Sequence, residues 1–130
     1  MNTEIITEVA HETQSGNMTF PEAIGKLMAA GVEYYHVDYM TLRKTCYRPY
    51  GEAATLPIKF RDLPRVAAVL SVTGLKAAIA DSQEHGQHYR DFSRRAMEAG
   101  VQGYFAFLRG RRVVYLGRTG DLHVEWFPDT

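Results

Sequence analysis

The sequence predicts a single α+β domain, residues 1–130, in which two helix-strand-strand units form an antiparallel sheet packed against helices. Three observations lead there. The chain has 130 residues, 45% of them hydrophobic and 23% charged, which is the length and apolar content of one self-sufficient core. Apolar residues run at helical spacing up to a glycine and then switch to two-residue alternation, and this happens twice. Short β-type runs bounded by glycine, proline and basic turns follow each switch.

In chain order, Ile5, Ile6, Val9 and Thr13 predict a short first helix. Thr19 is the N-cap of the next, with Pro21 in its first turn and Glu22 placed to close a capping box. Phe20, Ala23, Ile24, Leu27 and Met28 line one face of that helix, which is read as core. Gly31 takes the left-handed position after the helix, and Val32 packs back on Leu27. In the strand that follows, Val32, Tyr34, His36, Asp38 and Met40 share one side, with Glu33, Tyr35, Val37 and Tyr39 on the other. A partner strand carries Cys46 and Tyr47, and Thr55 to Phe60 is a third candidate. Asp62 caps an expected helix through Val66, Val69 and Leu70 that Gly74 interrupts. Asp81 and Glu84 form a second capping-box candidate, so residues 82–99 are one helix kinked near Gly86 or two pieces. A hairpin turning at Arg109 and Gly110, a turn from Gly117 to Gly120, and a last strand with Leu122, Val124 and Trp126 on one side bring the expected strands to four or five.

The pattern around the first glycine recurs 69 positions later, as from Gly31 to Gly100. Tyr89, Phe92, Ala96 and Met97 fall on four of the five apolar places of the first helix, and Ser93 on the other. Ala30-Gly31-Val32-Glu33-Tyr34-Tyr35 lines up with Ala99-Gly100-Val101-Gln102-Gly103-Tyr104, and Arg43-Lys44-Thr45-Cys46-Tyr47 is set against Arg111-Arg112-Val113-Val114-Tyr115. The reading is an internal duplication, each copy needing the other to cover its apolar face.

Fifteen acids balance fifteen bases, unevenly along the chain. The first 38 residues set Glu4, Glu8, Glu12, Glu22, Glu33 and Asp38 against Lys26 alone; the middle is basic; Asp121, Glu125 and Asp129 make the end acidic again. Mutual attraction of the parts on folding accounts for this, with a basic face for an acidic partner as the alternative. One cysteine, Cys46, allows no internal disulfide, and the acidic start lacks a signal peptide's basic and apolar regions. The expectation is a cytoplasmic protein without a membrane partner.

Tyr34, His36, Asp38, Cys46 and Tyr47 are the candidate binding residues, a tyrosine-rich sheet face suited to a small molecule or a protein partner. The alternative is a small hydrolase or transferase in which Cys46 is nucleophile, His36 base and Asp38 its orienter; no family signature surrounds the cysteine, and no catalytic residue is assigned. Arg94, Arg95, Arg109, Arg111 and Arg112 beside aromatics offer phosphate contacts and base stacking. Gln102 and the Phe105-Ala106 order fail the RNP-type pattern, which weighs against nucleic acid. On a helix Glu84 and His88, or His88 and Asp91, would face the same way as metal ligands can, but the run with His85 is not HExxH, the cysteines of a structural zinc site are absent and Gly86 breaks the helix; His123 and Glu125 carry no more weight, so neither a metal nor another cofactor is expected.

From the acidic N-terminal helix through FPEAIGKLMAAGVEYYHVDY to the aromatic C-terminal hairpin, the chain resembles the YbcV/YdfO-like family of small enterobacterial and prophage-encoded proteins, a domain of unknown function. The resemblance implies a similar size and origin. It carries no catalytic or ligand residues to transfer.

Overall fold

The structure, a computed structural model, describes residues 4–128; of the acidic ends, residues 1–3 and Asp129 lie outside them. Its elements are α1 (Glu4–Gln14), α2 (Phe20–Ala29), β1 (Tyr34–Asp38), β2 (Arg43–Tyr47), β3 (Ala53–Pro57), α3 (Val72–His85), α4 (Tyr89–Glu98), β4 (Val101–Phe107), β5 (Arg112–Gly117) and β6 (Leu122–Trp126). Six strands, one or two more than expected, form one sheet in the order β3-β2-β1-β4-β5-β6, with every neighbouring pair antiparallel. The fold is α+β.

Helix α2 begins as its sequence dictates. The Glu22 N–H donates to the Thr19 hydroxyl oxygen at 3.3 Å, and the Thr19 N–H donates to the Glu22 carboxylate at 3.4 Å. Such a cap contributes about 1 kcal/mol. At the other end the Gly31 N–H reaches the Met28 carbonyl and the Val32 N–H the Leu27 carbonyl, each at 3.0 Å, which is the Schellman ending. Gly31 supplies the φ of +86° that it requires. Ala23 and Leu27 are buried, but Phe20 and Met28 are exposed. Phe20 lies at the margin of the core face and sets its ring edge-on to Phe127, with centroids 5.3 Å apart.

Two expectations are corrected in the second half. Residues 61–71 contain no helix, because Pro64 lacks a backbone N–H and disfavours the helical region for Leu63 before it. Asp62 instead adopts a φ of +58°. The true N-cap is Ser71, whose hydroxyl accepts from the Gly74 N–H at 3.1 Å, so Gly74 sits in the first turn of α3 and does not break it. Residues 82–99 are two helices, separated at Gly86 with φ +63°. Asp81 is no cap. From within α3 its carboxylate accepts from Arg95 at 2.8 Å and contacts the His85 ring at 3.0 Å, joining α3 to α4.

The two halves repeat helix-helix-strand-strand-strand. From α2 onward equivalent positions are 69 apart: N-caps Thr19 and His88, glycines Gly31 and Gly100, and left-handed turn residues Leu42 (φ 56°) and Arg111 (φ 55°). Ile58 donates to the Leu42 carbonyl as Phe127 does to that of Arg111, both at 2.8 Å. This register pairs Arg43 with Arg112 rather than Arg111, because Arg111 belongs to the turn. At the junction of the halves, β1 and β4 pair His36 with Phe105, its own counterpart.

Alternate side chains of β1, β2, β4 and β5 enter the core, and Ala54 and Leu56 of β3 pack against it. Tyr35, Val37, Cys46, Tyr104, Ala106, Val113 and Tyr115 are buried with Ile6, Val9, Leu27, Leu75 and Met97 from the helices. That side is helix-covered. The intervening residues face the other way, where no described helix lies.

The open sheet face as a candidate binding site

Period-two alternation and the antiparallel registers put three rows of side chains on the open face. The first runs from Tyr47 through Tyr34 and Phe107 to Arg112 and Trp126. Tyr34 stacks on Tyr47 with centroids 4.7 Å apart and lies 5.6 Å from Phe107, and the Arg112 guanidinium sits 4.0 Å over the Trp126 ring. The central row is Thr55, Thr45, His36, Phe105, Val114 and Val124. His36 stacks on Phe105 at 4.3 Å and 15°, and the hydroxyls of Thr45 and Thr55 are 3.1 Å apart. The third row is Pro57, Arg43, Asp38, Gly103, Leu116 and Leu122.

The chemistry of this face follows from those contacts. Stacked partners on neighbouring strands hold their rings upright, so the outer surface offers ring edges and aliphatic side chains rather than open ring faces. Arg43, Asp38 and Arg112 are its charged members, and the central row has no carboxylate, lysine or arginine. Gly103 keeps the middle clear, since a Cβ there would lie 2.5 Å from the Val37 carbonyl oxygen and 3.4 Å from His36 Nε2. At one end a shallow depression of about 450 Å³ is lined by Glu33, Tyr34, Phe107, Arg109, Arg112 and Val114.

Of the residues singled out in the sequence, Tyr34, His36 and Tyr47 meet on this face. Asp38 shares it but uses its carboxylate locally, where Oδ1 accepts from the N–H groups of Met40 at 2.8 Å and Thr41 at 3.2 Å. Cys46 does not join them. It pairs with Tyr35, and its side chain enters the helix-covered core with 1% exposure. Burial pushes its thiol pKa up, with the Lys44 ammonium opposing. A nucleophile-base-orienter set of Cys46, His36 and Asp38 is therefore not assembled: parity puts the sulfur and the imidazole on opposite faces of the sheet.

The arginines separate into two groups. Arg109 and Arg112 border the depression at the aromatic face, while Arg111 stands 5.9 Å over Phe127. Arg95 is paired with Asp81, and Arg94 lines a different hollow, of about 460 Å³, with Lys59, Arg61, His88 and Arg90. They make no continuous basic track with the rings.

Period-two alternation in residues 101–107, 112–117 and 122–126 sets Phe105, Phe107, Val114, Leu116 and Trp126 apart from the core residues, but only the strand pairing brings them to the face of Tyr34 and His36, so sequence reasoning missed them as site residues. It also missed the polar set inside the core. The Tyr89 and Tyr104 hydroxyls are 2.5 Å apart, and the Tyr39 hydroxyl donates to Ser93 Oγ at 3.1 Å. Burial raises the pKa of Tyr35, Tyr39, Tyr89, Tyr104 and Tyr115. Lys44 is buried beside them, its ammonium 4.3 Å over the Tyr35 ring, and desolvation lowers its pKa with Cys46 opposing.

Among the described residues no group of three or more His, Cys, Asp or Glu is placed to hold a metal ion. His85 contacts Asp81, His88 caps α4 and accepts from the Arg90 N–H, and His123 Nε2 lies 2.8 Å from Glu125. No helix of the described residues is long and apolar enough to cross a membrane. Comparison of the chain with protein-family models and with curated proteins gives no match.

Proposed function

We propose that this protein is a non-enzymatic binding module whose open sheet face receives an apolar or aromatic surface, from a small molecule or from a protein. The observation that carries the reading is the central row, in which His36 stacks on Phe105 between threonines and valines with no charged neighbour in the row. An antiparallel sheet that meets water on one side ordinarily carries polar residues there. This face instead has the apolar centre and charged margin of a recognition surface. The upright rings favour edge and aliphatic contacts over the flat stacking that single-stranded nucleic acid uses. The burial of Cys46 on the far side leaves the hydrolase or transferase reading without its nucleophile.

A duplicated helix-helix-strand-strand-strand ancestor, a cytoplasmic location and kinship with the YbcV/YdfO-like proteins belong to the same proposal. The constant 69-residue offset supports the first, and a lone buried thiol is compatible with the second.

The test is a two-dimensional amide NMR titration of the labelled protein with a panel of small aromatic and aliphatic fragments, then with a short oligonucleotide. Shifts concentrated at Tyr34, His36, Phe105, Phe107 and Val114 support the reading. Shifts confined to the hollow around Lys59 and Arg94 on adding oligonucleotide overturn it, and silence at the face residues rejects a small-molecule ligand and leaves a protein as the occupant.

A further inference from the structure

The outer strands of the sheet, β3 and β6, are equivalent in the repeat, yet their free edges differ. We propose that the β6 edge pairs antiparallel with the β6 edge of a second copy of this chain, about a two-fold axis centred on Val124. This contact lies at the rim of the open face and is separate from what the face itself receives.

Main-chain direction fixes what each edge offers. The Phe127 N–H donates to the Arg111 carbonyl and the Gly117 N–H to that of Asp121, so the odd-numbered residues of β6 bond to β5. Antiparallel alternation then turns the N–H and C=O groups of Leu122, Val124 and Trp126 outward. Among the described residues no strand or side chain pairs with them there. The β3 edge is blunted. Ile58 donates to the Leu42 carbonyl, so Ala53, Thr55 and Pro57 are the outward residues of β3. Pro57, the counterpart of Trp126, has no N–H to offer, and Gln14 at the end of α1 donates to its carbonyl at 3.3 Å and accepts from the Lys59 N–H at 3.1 Å. Proline and capping of this sort keep sheet edges from pairing with other chains. Neither protects β6, whose outward residues also carry exposed apolar side chains, Leu122 and Trp126 at 58% and Val124 at 37%.

The β6 sequence selects the register. Outward residues must meet outward residues, so the two edges shift only in steps of two. With the axis at Val124, Leu122 lies opposite Trp126 of the second copy and Val124 opposite Val124, each pair exchanging its N–H and C=O groups. On the other side of the sheet His123 lies opposite Glu125 of the second copy, and the reverse. Within one chain His123 Nε2 and Glu125 are already 2.8 Å apart, so the pairing joins two imidazole–carboxylate pairs of matching chemistry. An axis at His123 would set Glu125 against Asp121, and one at Glu125 would oppose two carboxylates; like charges disfavour both. An axis at Leu122 or Trp126 shortens the paired stretch. A two-fold contact through the one unprotected edge is closed, so association stops at the dimer. Its strength comes from main-chain hydrogen bonds over a short strand rather than from a large buried area, which makes it weak and transient.

Sedimentation velocity of the full chain from about 1 µM to about 1 mM tests this. The expected result is a dimer, twice the 14.7 kDa chain mass, whose dissociation constant rises at least about 30-fold in Val124→Pro. That change removes the central intermolecular donors and leaves the bonds to β5 in place. Thr55→Pro, the same change at the equivalent outward position of β3, leaves the dimer as it is. A wild-type chain that is monomeric over the whole range overturns the proposal, as does growth beyond the dimer. So does a dimer that survives Val124→Pro or is lost in a folded Thr55→Pro. Should Val124→Pro fail to fold, a mixture of labelled and unlabelled wild-type chains decides. An intermolecular NOE between the Hα protons of His123 and Glu125, which this register sets at a close non-hydrogen-bonded position, supports the edge pairing. Its absence in a dimer rejects it.

Discussion

His36 and Phe105 pair across the central strands with rings stacked at 4.3 Å, and each is the other's counterpart in the repeat. The contact is thus a cross-strand pair and the seam of the two halves at once. One half supplies an imidazole, the other a phenyl ring, and Gly103 beside them leaves space for the imidazole.

A double-mutant cycle on His36→Ala and Phe105→Ala reads that seam directly. Stacked pairs on a half-exposed sheet couple by about 0.5–1 kcal/mol. Urea unfolding of the four proteins is expected to return that coupling, and strictly additive losses would mean the stack contributes nothing beyond the burial of each ring.

The equivalent glycines Gly31 and Gly100 are expected to respond unequally to alanine. Both have φ near +90°, which costs an alanine about 1 kcal/mol. At Gly31 a Cβ meets the Arg48 side chain at 3.3 Å, which can yield at some loss of its hydrogen bonds to the Ala30 carbonyl. At Gly100 it would overlap the backbone of Val69 and Leu70, which cannot yield. Gly31→Ala should lose about 1–2 kcal/mol and Gly100→Ala more than about 3, measured by urea denaturation. Equal losses would show that the Val69 segment is free to move.

The difference between these glycines marks what the sequence discloses. Local chemistry was legible: the Thr19–Glu22 capping box, the Gly31 ending and the alternation that sets Tyr34 and His36 apart from Tyr35 and Val37 are properties of adjacent residues. The face assignment follows from parity within residues 34–38, whereas Val32, which parity sets with Tyr34, is buried in the core. Burial by distant partners was not legible. Phe20 and Met28 have the helical spacing of core residues but lie at the margin, and the irregular chain before Ser71 is held by non-local bonds, Ala67 to the Met97 carbonyl and Ser71 to that of Ala99. The site was half visible for the same reason: Tyr34, His36 and Tyr47 lie near one another in sequence, whereas Phe105, Val114 and Trp126 come to them only through the β1–β4 pairing.

Lys44 is expected to weaken the fold. Its counterpart in the repeat is Val113, and no carboxylate among the described residues pairs with its ammonium; Tyr35 and Cys46 are the titratable groups it meets. A folded-state pKa below the usual lysine value means that the unfolded chain binds the proton more readily. Stability therefore rises as the pH climbs from the folded pKa toward the unfolded one near 10.4. Lys44→Val should add about 1–3 kcal/mol at neutral pH and flatten that rise. Urea midpoints across the neutral to alkaline range check both, and an unchanged slope would assign the pH dependence to other groups.

The five buried tyrosines act in the opposite sense. Their folded pKa values lie above the ordinary value near 10, so their contribution is complete below pH 10 and is lost as the unfolded chain ionises above it. Tyr104→Phe removes one of these groups and strips Tyr89 of its 2.5 Å partner. It should cost about 1–2 kcal/mol at neutral pH while making the alkaline loss shallower. Chemical unfolding from about pH 9 to about pH 11 shows whether the two curves converge.

Tyr34 and Tyr35 are neighbours whose side chains take opposite faces, and this separates folding from binding within one residue's step. Tyr35 is 5% exposed against Tyr104 and Lys44, so Tyr35→Ser opens the core and should cost about 3–5 kcal/mol. Tyr34 is half-buried among Tyr47 and Phe107 at the edge of the open face. Tyr34→Ser gives up two ring contacts and should cost about 1 kcal/mol, leaving a folded protein. If the face is the binding surface, that folded variant loses the fragment-induced shifts at Phe105 and Phe107 that the wild type shows. Retained shifts in Tyr34→Ser would confine recognition to β4–β6, and a loss of stability equal to that of Tyr35→Ser would mean the open face is structural rather than receptive.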